Sequence, residues 1–109
     1  MIYGIPDSGL IEYLKDKEYI IATDEGESVG MAVGHYLATK EIPTVFMSAD
    51  GFCNALNPLT SLVIPYDIPI NFIISSGRKE PQHKVMTDTL KNLIKLYENK
   101  GRINFTIIE

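Results

Sequence analysis

The sequence predicts an α/β fold built on a mostly parallel sheet. Two observations carry this expectation. Short apolar runs rich in β-branched residues alternate with stretches of helical periodicity, as in strands joined by crossover helices. Most of those runs are continuously apolar rather than alternating, as strands buried on both faces are. With 109 residues the chain has room for one core and one domain. Apolar residues make up 45% and charged residues 22%, which places it among globular proteins and away from disorder.

Taken in order, the expected strands are Ile2-Tyr3, Tyr19 to Ala22, Thr44 to Ser48, Ile70 to Ser75 and Ile103 to Ile108. Between the first two, Asp7 or Ser8 can cap a helix running through Lys15. After the second, Val29, Ala32, Val33, Tyr36 and Leu37 recur at i, i+3, i+4, i+7 and i+8, which gives a helix with one face on the sheet. Pro58 interrupts the segment after Gly51 and predicts a short or broken helix there. Leu90, Leu93, Ile94 and Tyr97 mark the last helix, with Lys100-Gly101-Arg102 as its basic last turn and glycine stop.

The formal charge of −4 comes without a Lys/Arg cluster, so no nucleic acid or anionic membrane is expected as a partner. No apolar run approaches the roughly 20 residues of a membrane span, and Met1-Ile2-Tyr3-Gly4 lacks the basic region of a signal peptide. A single cysteine, Cys53, fits a reducing compartment, and the cytoplasm is the expected location. There is no His/Cys set at metal-ligand spacing, so no metal site is expected in this chain.

Ligands of open α/β sheets bind outside the carboxyl ends of the strands, so the loops there are the ones that matter. They read Gly4-Ile5-Pro6-Asp7-Ser8, Thr23-Asp24-Glu25-Gly26-Glu27, Ala49-Asp50-Gly51-Phe52-Cys53-Asn54, and Ser76-Gly77-Arg78-Lys79-Glu80-Pro81-Gln82-His83. The second is the most informative, because its acids enter a helix carrying Gly30, Gly34 and Ala38 at i, i+4 and i+8. Two ordinary explanations stand beside a functional one. Acids are stabilised at a helix N-terminus by the macrodipole, and a row of small residues serves close packing against a neighbouring element.

The stretch Glu25-Gly26-Glu27-Ser28-Val29-Gly30-Met31-Ala32-Val33-Gly34 resembles the segment by which thiamine-diphosphate enzymes bind the aminopyrimidine, a Glu followed nine residues later by a Gly. That spacing selects Glu25 rather than Glu27. Gly4-Ile5-Pro6-Asp7-Ser8, Asn54-Ala55-Leu56-Asn57-Pro58-Leu59-Thr60-Ser61-Leu62 and Glu80-Pro81-Gln82-His83 are similar to the matching stretches of phosphonopyruvate decarboxylases and, more loosely, of the sulfopyruvate decarboxylase alpha subunit. Four motifs in order are far more specific than any one of them.

The resemblance implies a three-layer thiamine-diphosphate-binding fold of the pyrimidine type, with helices on both faces of the sheet. Residues 1–109 would form one pyrimidine-binding domain without the helix that precedes the first strand in relatives. Glu25 would be catalytic, hydrogen-bonded to the pyrimidine so that the cofactor loses its C2 proton. Gly51 and Asn54 would bind cofactor. Asp7, Ser8, His83 and Arg78 would contact an anionic 2-oxoacid, phosphonopyruvate or sulfopyruvate. In that family a separate domain with Gly-Asp-Gly and a downstream Asn pair holds the diphosphate and magnesium. Ala49-Asp50-Gly51 lacks the leading glycine and the Asn pair, so a second subunit in an oligomer is expected to supply that half.

Each residue also has a plainer reading. Asp7 and Ser8 can cap the first helix, Arg78 and Lys79 can be solvated loop charges, His83 can cap the helix starting near Lys84, and His35 is structural. Cys53 stands where relatives carry glycine and reads as a small buried residue rather than a reactive thiol. Taken together, these features leave open a non-catalytic α/β interaction module that keeps the fold.

Overall fold

A computed structural model describes residues 1–109. Its strands are β1 (Ile2–Gly4), β2 (Ile20–Ile21), β3 (Thr44–Ser48), β4 (Ile70–Ser75) and β5 (Ile103–Ile108), all paired in parallel in the order β2-β1-β3-β4-β5. A 3₁₀ turn at Ser8–Leu10 runs into the short α1 (Ile11–Leu14); α2 is Glu25–Thr39 and α4 is Pro81–Tyr97. The segment around Pro58 is broken as expected. It consists of 3₁₀ turns over Ala49–Ala55, one α turn, α3, at Leu56–Pro58, and a wider π-type turn at Leu59–Val63.

Side chains of the central strands alternate between two cores. Val45 and Met47 of β3, with Ile70, Phe72 and Ile74 of β4, join a cluster of 17 buried residues that also takes in Val29, Ala32 and Val33 of α2 and Leu90 of α4. Phe52 sits edge-on to both Phe72 and Phe105, which stack on each other at 5.4 Å between ring centroids. Phe46 and Ile73 point the other way, onto Leu10 and Leu14. Helices therefore cover both faces in three layers, but one layer is long and the other is little more than two turns. Gly4 lets β1 and β3 meet beneath that short layer, because a Cβ there would collide with the carbonyl and ring of Phe46.

Some local expectations need correction. β2 keeps only two of its four expected residues, and both are exposed, since it forms the edge of the sheet. α4 ends at Tyr97, before Lys100-Gly101-Arg102: the Lys100 N–H donates to the Tyr97 carbonyl at 3.0 Å, a tight turn that closes the helix early, and Lys95 is the basic residue of its last turn. The row Gly30, Gly34 and Ala38 packs on nothing in this chain. α2 turns Val29, Ala32 and Val33 to the sheet, so all three small residues are exposed, and a Cβ added to either glycine would meet no atom within 4 Å. Leu37 lies exposed on that helix too, at 57%.

The strand order places a switch point between β1 and β3. From β1 the chain crosses to β2 through α1 on the small-core face; from β2 it returns past β1 to β3 through α2 on the large-core face. Loops leaving neighbouring strands toward opposite faces open a crevice at their carboxyl ends. No helix is long and apolar enough to cross a membrane.

Candidate functional site

The three acids at the start of α2 are not equivalent. Asp24 is the N-cap, its Oδ1 accepting the Glu27 N–H at 2.8 Å. Glu27 reaches back, its Oε1 accepting the Thr23 N–H at 2.8 Å. Glu25 takes no part in this capping. Its Oε1 accepts from Asn54 Nδ2 at 3.0 Å, and its other oxygen has no hydrogen-bond partner in the chain. The carboxyl group lies over the buried Gly51, where a Cβ would stand 2.5 Å from the Glu25 carboxyl carbon. Gly51 thus admits Glu25 where any side chain would displace it. The structure brings Glu25, Gly51 and Asn54 together from two segments.

A second cluster forms where β1 and β4 end. Asp7 caps the first turn, its Oδ2 accepting from the Gly9 N–H at 3.0 Å and from the Ser75 hydroxyl at 2.7 Å. Its Oδ1 takes Arg78 Nη2 at 2.8 Å, and the same nitrogen donates to Ser8 Oγ at 2.9 Å. Asp7 is therefore a cap and also the counter-ion of Arg78. Arg78 is not a purely solvated charge, although its side chain remains 41% exposed against 16% for Asp7. Lys79 is exposed.

His83 does not cap the last helix, because that helix begins at Pro81 and His83 lies within its first turn. Its Nδ1 is 2.6 Å from Asp50 Oδ2. Asp50, His83 and Arg78 line one narrow cleft with Ser48, Ser75 and Thr87, of about 10 Å³ and so roomy enough for a single water at most. The larger hollow, about 460 Å³, lies elsewhere, between the loop after β1 and α1, walled by Pro6, Ile11, Leu14 and Tyr19. It shares Asp7 and Ser8 with the site but includes neither Glu25 nor His83. No group of three or more His, Cys, Asp or Glu side chains is placed to hold a metal ion.

Cys53 corrects another expectation. It is exposed rather than buried, with its thiol 3.7 Å from the Met86 sulfur. The irregular turns after β3 face Phe52 and Ala55 inward and leave Cys53 and Asn54 outside. The His35 ring meets Tyr3 edge-on, and its buried Nε2 lies 3.4 Å from Glu41 without a hydrogen bond. The residue that sequence reasoning missed is Asp50. Its position after a strand was a signal, but its partner is 33 residues away in the chain.

Comparison with known proteins bears on this arrangement. The chain is 39% identical over 61 residues to the sulfopyruvate decarboxylase subunit alpha of Methanococcus maripaludis, a match covering 56% of this chain and 36% of that subunit. It superposes on a protein from Mycobacterium smegmatis, assigned as a thiamin diphosphate-dependent enzyme, with a TM-score of 0.69 at 18% identity. That match covers 98% of this chain and 27% of the other. The chain has that protein's fold. The chain spans only about a third of the curated relative, and less of the solved structure. No family model matches it. Within this fold, Glu25 and the Asp7–Arg78 cluster share the carboxyl edge of one parallel sheet, the edge where ligands of such sheets bind.

Proposed function

We propose that the chain is the pyrimidine-binding part of a thiamine-diphosphate-dependent decarboxylase acting on an anionic 2-oxoacid, sulfopyruvate or phosphonopyruvate. The observation that carries this reading is Glu25. It is the one acid at the α2 N-terminus that capping leaves free, held by a neutral amide over a glycine with one oxygen unpaired. The 39% identity to a sulfopyruvate decarboxylase alpha subunit supports it.

The residues present fit an aminopyrimidine. A partly exposed carboxylate offers its unpaired oxygen to a ring nitrogen, and Asn54 fixes the carboxylate plane while leaving that oxygen free. Thiamine diphosphate, when bound, supplies a carbon nucleophile and the electron sink that lets a 2-oxoacid lose carbon dioxide. Glu25 would hold and release the proton at the pyrimidine ring. Arg78 would attract the phosphonate or sulfonate, with Nη1 and Nε still available after Nη2 has engaged Asp7 and Ser8. His83 would exchange a proton with the substrate.

On this reading residues 1–109 act as one pyrimidine-binding unit, and a second subunit holds the diphosphate and its magnesium. The outer face of α2, with Gly30, Gly34 and exposed Leu37, supports an oligomer by offering close backbone approach. The test mixes the chain with a diphosphate-binding subunit, thiamine diphosphate and magnesium, and follows carbon dioxide release from each oxoacid. Glu25→Gln should lower kcat by about 100-fold or more. Full activity in Glu25→Gln would refute the role given to Glu25, and no carbon dioxide release from either oxoacid with the wild-type chain would leave a non-catalytic module.

A further inference from the structure

Asp50 has no place in the reading above, yet it makes one of the shortest polar contacts in the molecule. It lies two residues past the end of β3 and precedes the glycine beneath Glu25. Its Oδ2 meets His83 Nδ1 at 2.6 Å. The His83 backbone is held as well, its N–H donating to the Glu80 carbonyl at 2.9 Å and its carbonyl accepting the Thr87 hydroxyl at 3.1 Å. A carboxylate only accepts, so Nδ1 carries the proton of a neutral ring and Nε2 is the nitrogen left for a ligand. Both side chains are partly exposed, and such a pair contributes little stability. Of the other groups lining the cleft, the Ser75 and Thr87 hydroxyls already donate to Asp7 and to the His83 carbonyl, which leaves the Ser48 hydroxyl and the Arg78 guanidinium beside the His83 ring as donors.

The geometry points to Asp50 as a positioning residue that fixes His83 in the tautomer whose Nε2 exchanges the proton at the substrate end of the site, an inference that rests on the decarboxylase reading. In that exchange the protonated ring gives its Nε2 proton to an atom of the bound ligand. It becomes neutral imidazole with Nδ1–H still on Asp50, and water restores the proton. The carboxylate orients the ring and takes no proton in the exchange.

Nitrogen-15 NMR of the full chain reads the tautomer directly. Only His35 shares the spectrum, and His35→Gln assigns the signals. At about pH 8.5, two units above an ordinary imidazole, His83 should show protonated Nδ1 and bare Nε2, and Asp50→Asn should move the balance toward Nε2–H. In the assembled enzyme, Asp50→Asn should lower kcat about 10- to 100-fold with KM changed less than about threefold. A wild-type ring protonated at Nε2, or an unchanged kcat in Asp50→Asn while Glu25→Gln is inactive, overturns the assignment of Asp50 alone. If the wild-type assembly releases no carbon dioxide from either oxoacid, the decarboxylase reading fails instead, and the role claimed for Asp50 in turnover falls with it, while the tautomer result stands by itself.

Discussion

The two acidic loops at the carboxyl edge of the sheet use their carboxylates in opposite ways. At the start of α2 the capping needs are met by Asp24 and Glu27, so Glu25 keeps one oxygen unpaired and the other on a neutral amide. At the end of β1 a single carboxylate, Asp7, does everything: it caps a turn, holds the Ser75 hydroxyl and neutralises Arg78. The difference shows that a carboxylate's availability is set by how many nearby donors have another acceptor. Where three acids share three donors, one keeps an oxygen unpaired; where one acid serves three donors, both of its oxygens are engaged.

The contrast can be broken first at Asp7. Asp7→Ala leaves the nearly buried Ser75 hydroxyl and the Gly9 N–H without their acceptor, and should cost about 2–3 kcal/mol in urea unfolding, from the lost cap and an unsatisfied buried group. The half-exposed Arg78 adds little to that figure. Asp24→Ala removes a cap alone and should cost about 1 kcal/mol by the same measurement. Glu25→Gln should change stability by about 0.5 kcal/mol or less, the share that a negative charge in the first helical turn contributes. A loss at Glu25 equal to that at Asp7 would erase the distinction.

A smaller effect belongs to the short layer beside Asp7. Burial raises the Tyr13 phenol above its ordinary value of 10.0, so the unfolded chain gives up that proton first. The stability involved is fully present below about pH 10 and is lost as pH rises through the higher folded value. Unfolding midpoints between about pH 9 and 11 should fall more steeply in the wild type than in Tyr13→Phe.

The same contrast explains what could be read from the sequence. The bounds of β3 and β4 are those expected from the apolar runs, because strands inside a parallel sheet are largely apolar on both faces, and β5 has its expected bounds too although it is the other edge strand. β2 was overextended because nothing in Tyr19 to Ala22 marks it as an edge. Helical spacing identified the residues of α2 that face the sheet, but it could not say that Gly30 and Gly34 would face open space. Spacing to Gly34 singled out Glu25, and its capping neighbours then account for its freedom. The Asp50–His83 and Asp7–Arg78 pairs join residues 33 and 71 positions apart, and no local pattern encodes such meetings.

The central claim is that Glu25 is the free carboxylate that acts on the cofactor. Proton exchange at the thiamine C2 position isolates that step from substrate binding. In the chain mixed with a diphosphate-binding subunit, thiamine diphosphate and magnesium, deuterium should enter C2 at least about 100-fold faster with wild-type chain than with Glu25→Gln, while Asp7→Asn keeps the wild-type rate. Equal exchange in wild type and Glu25→Gln would contradict the account.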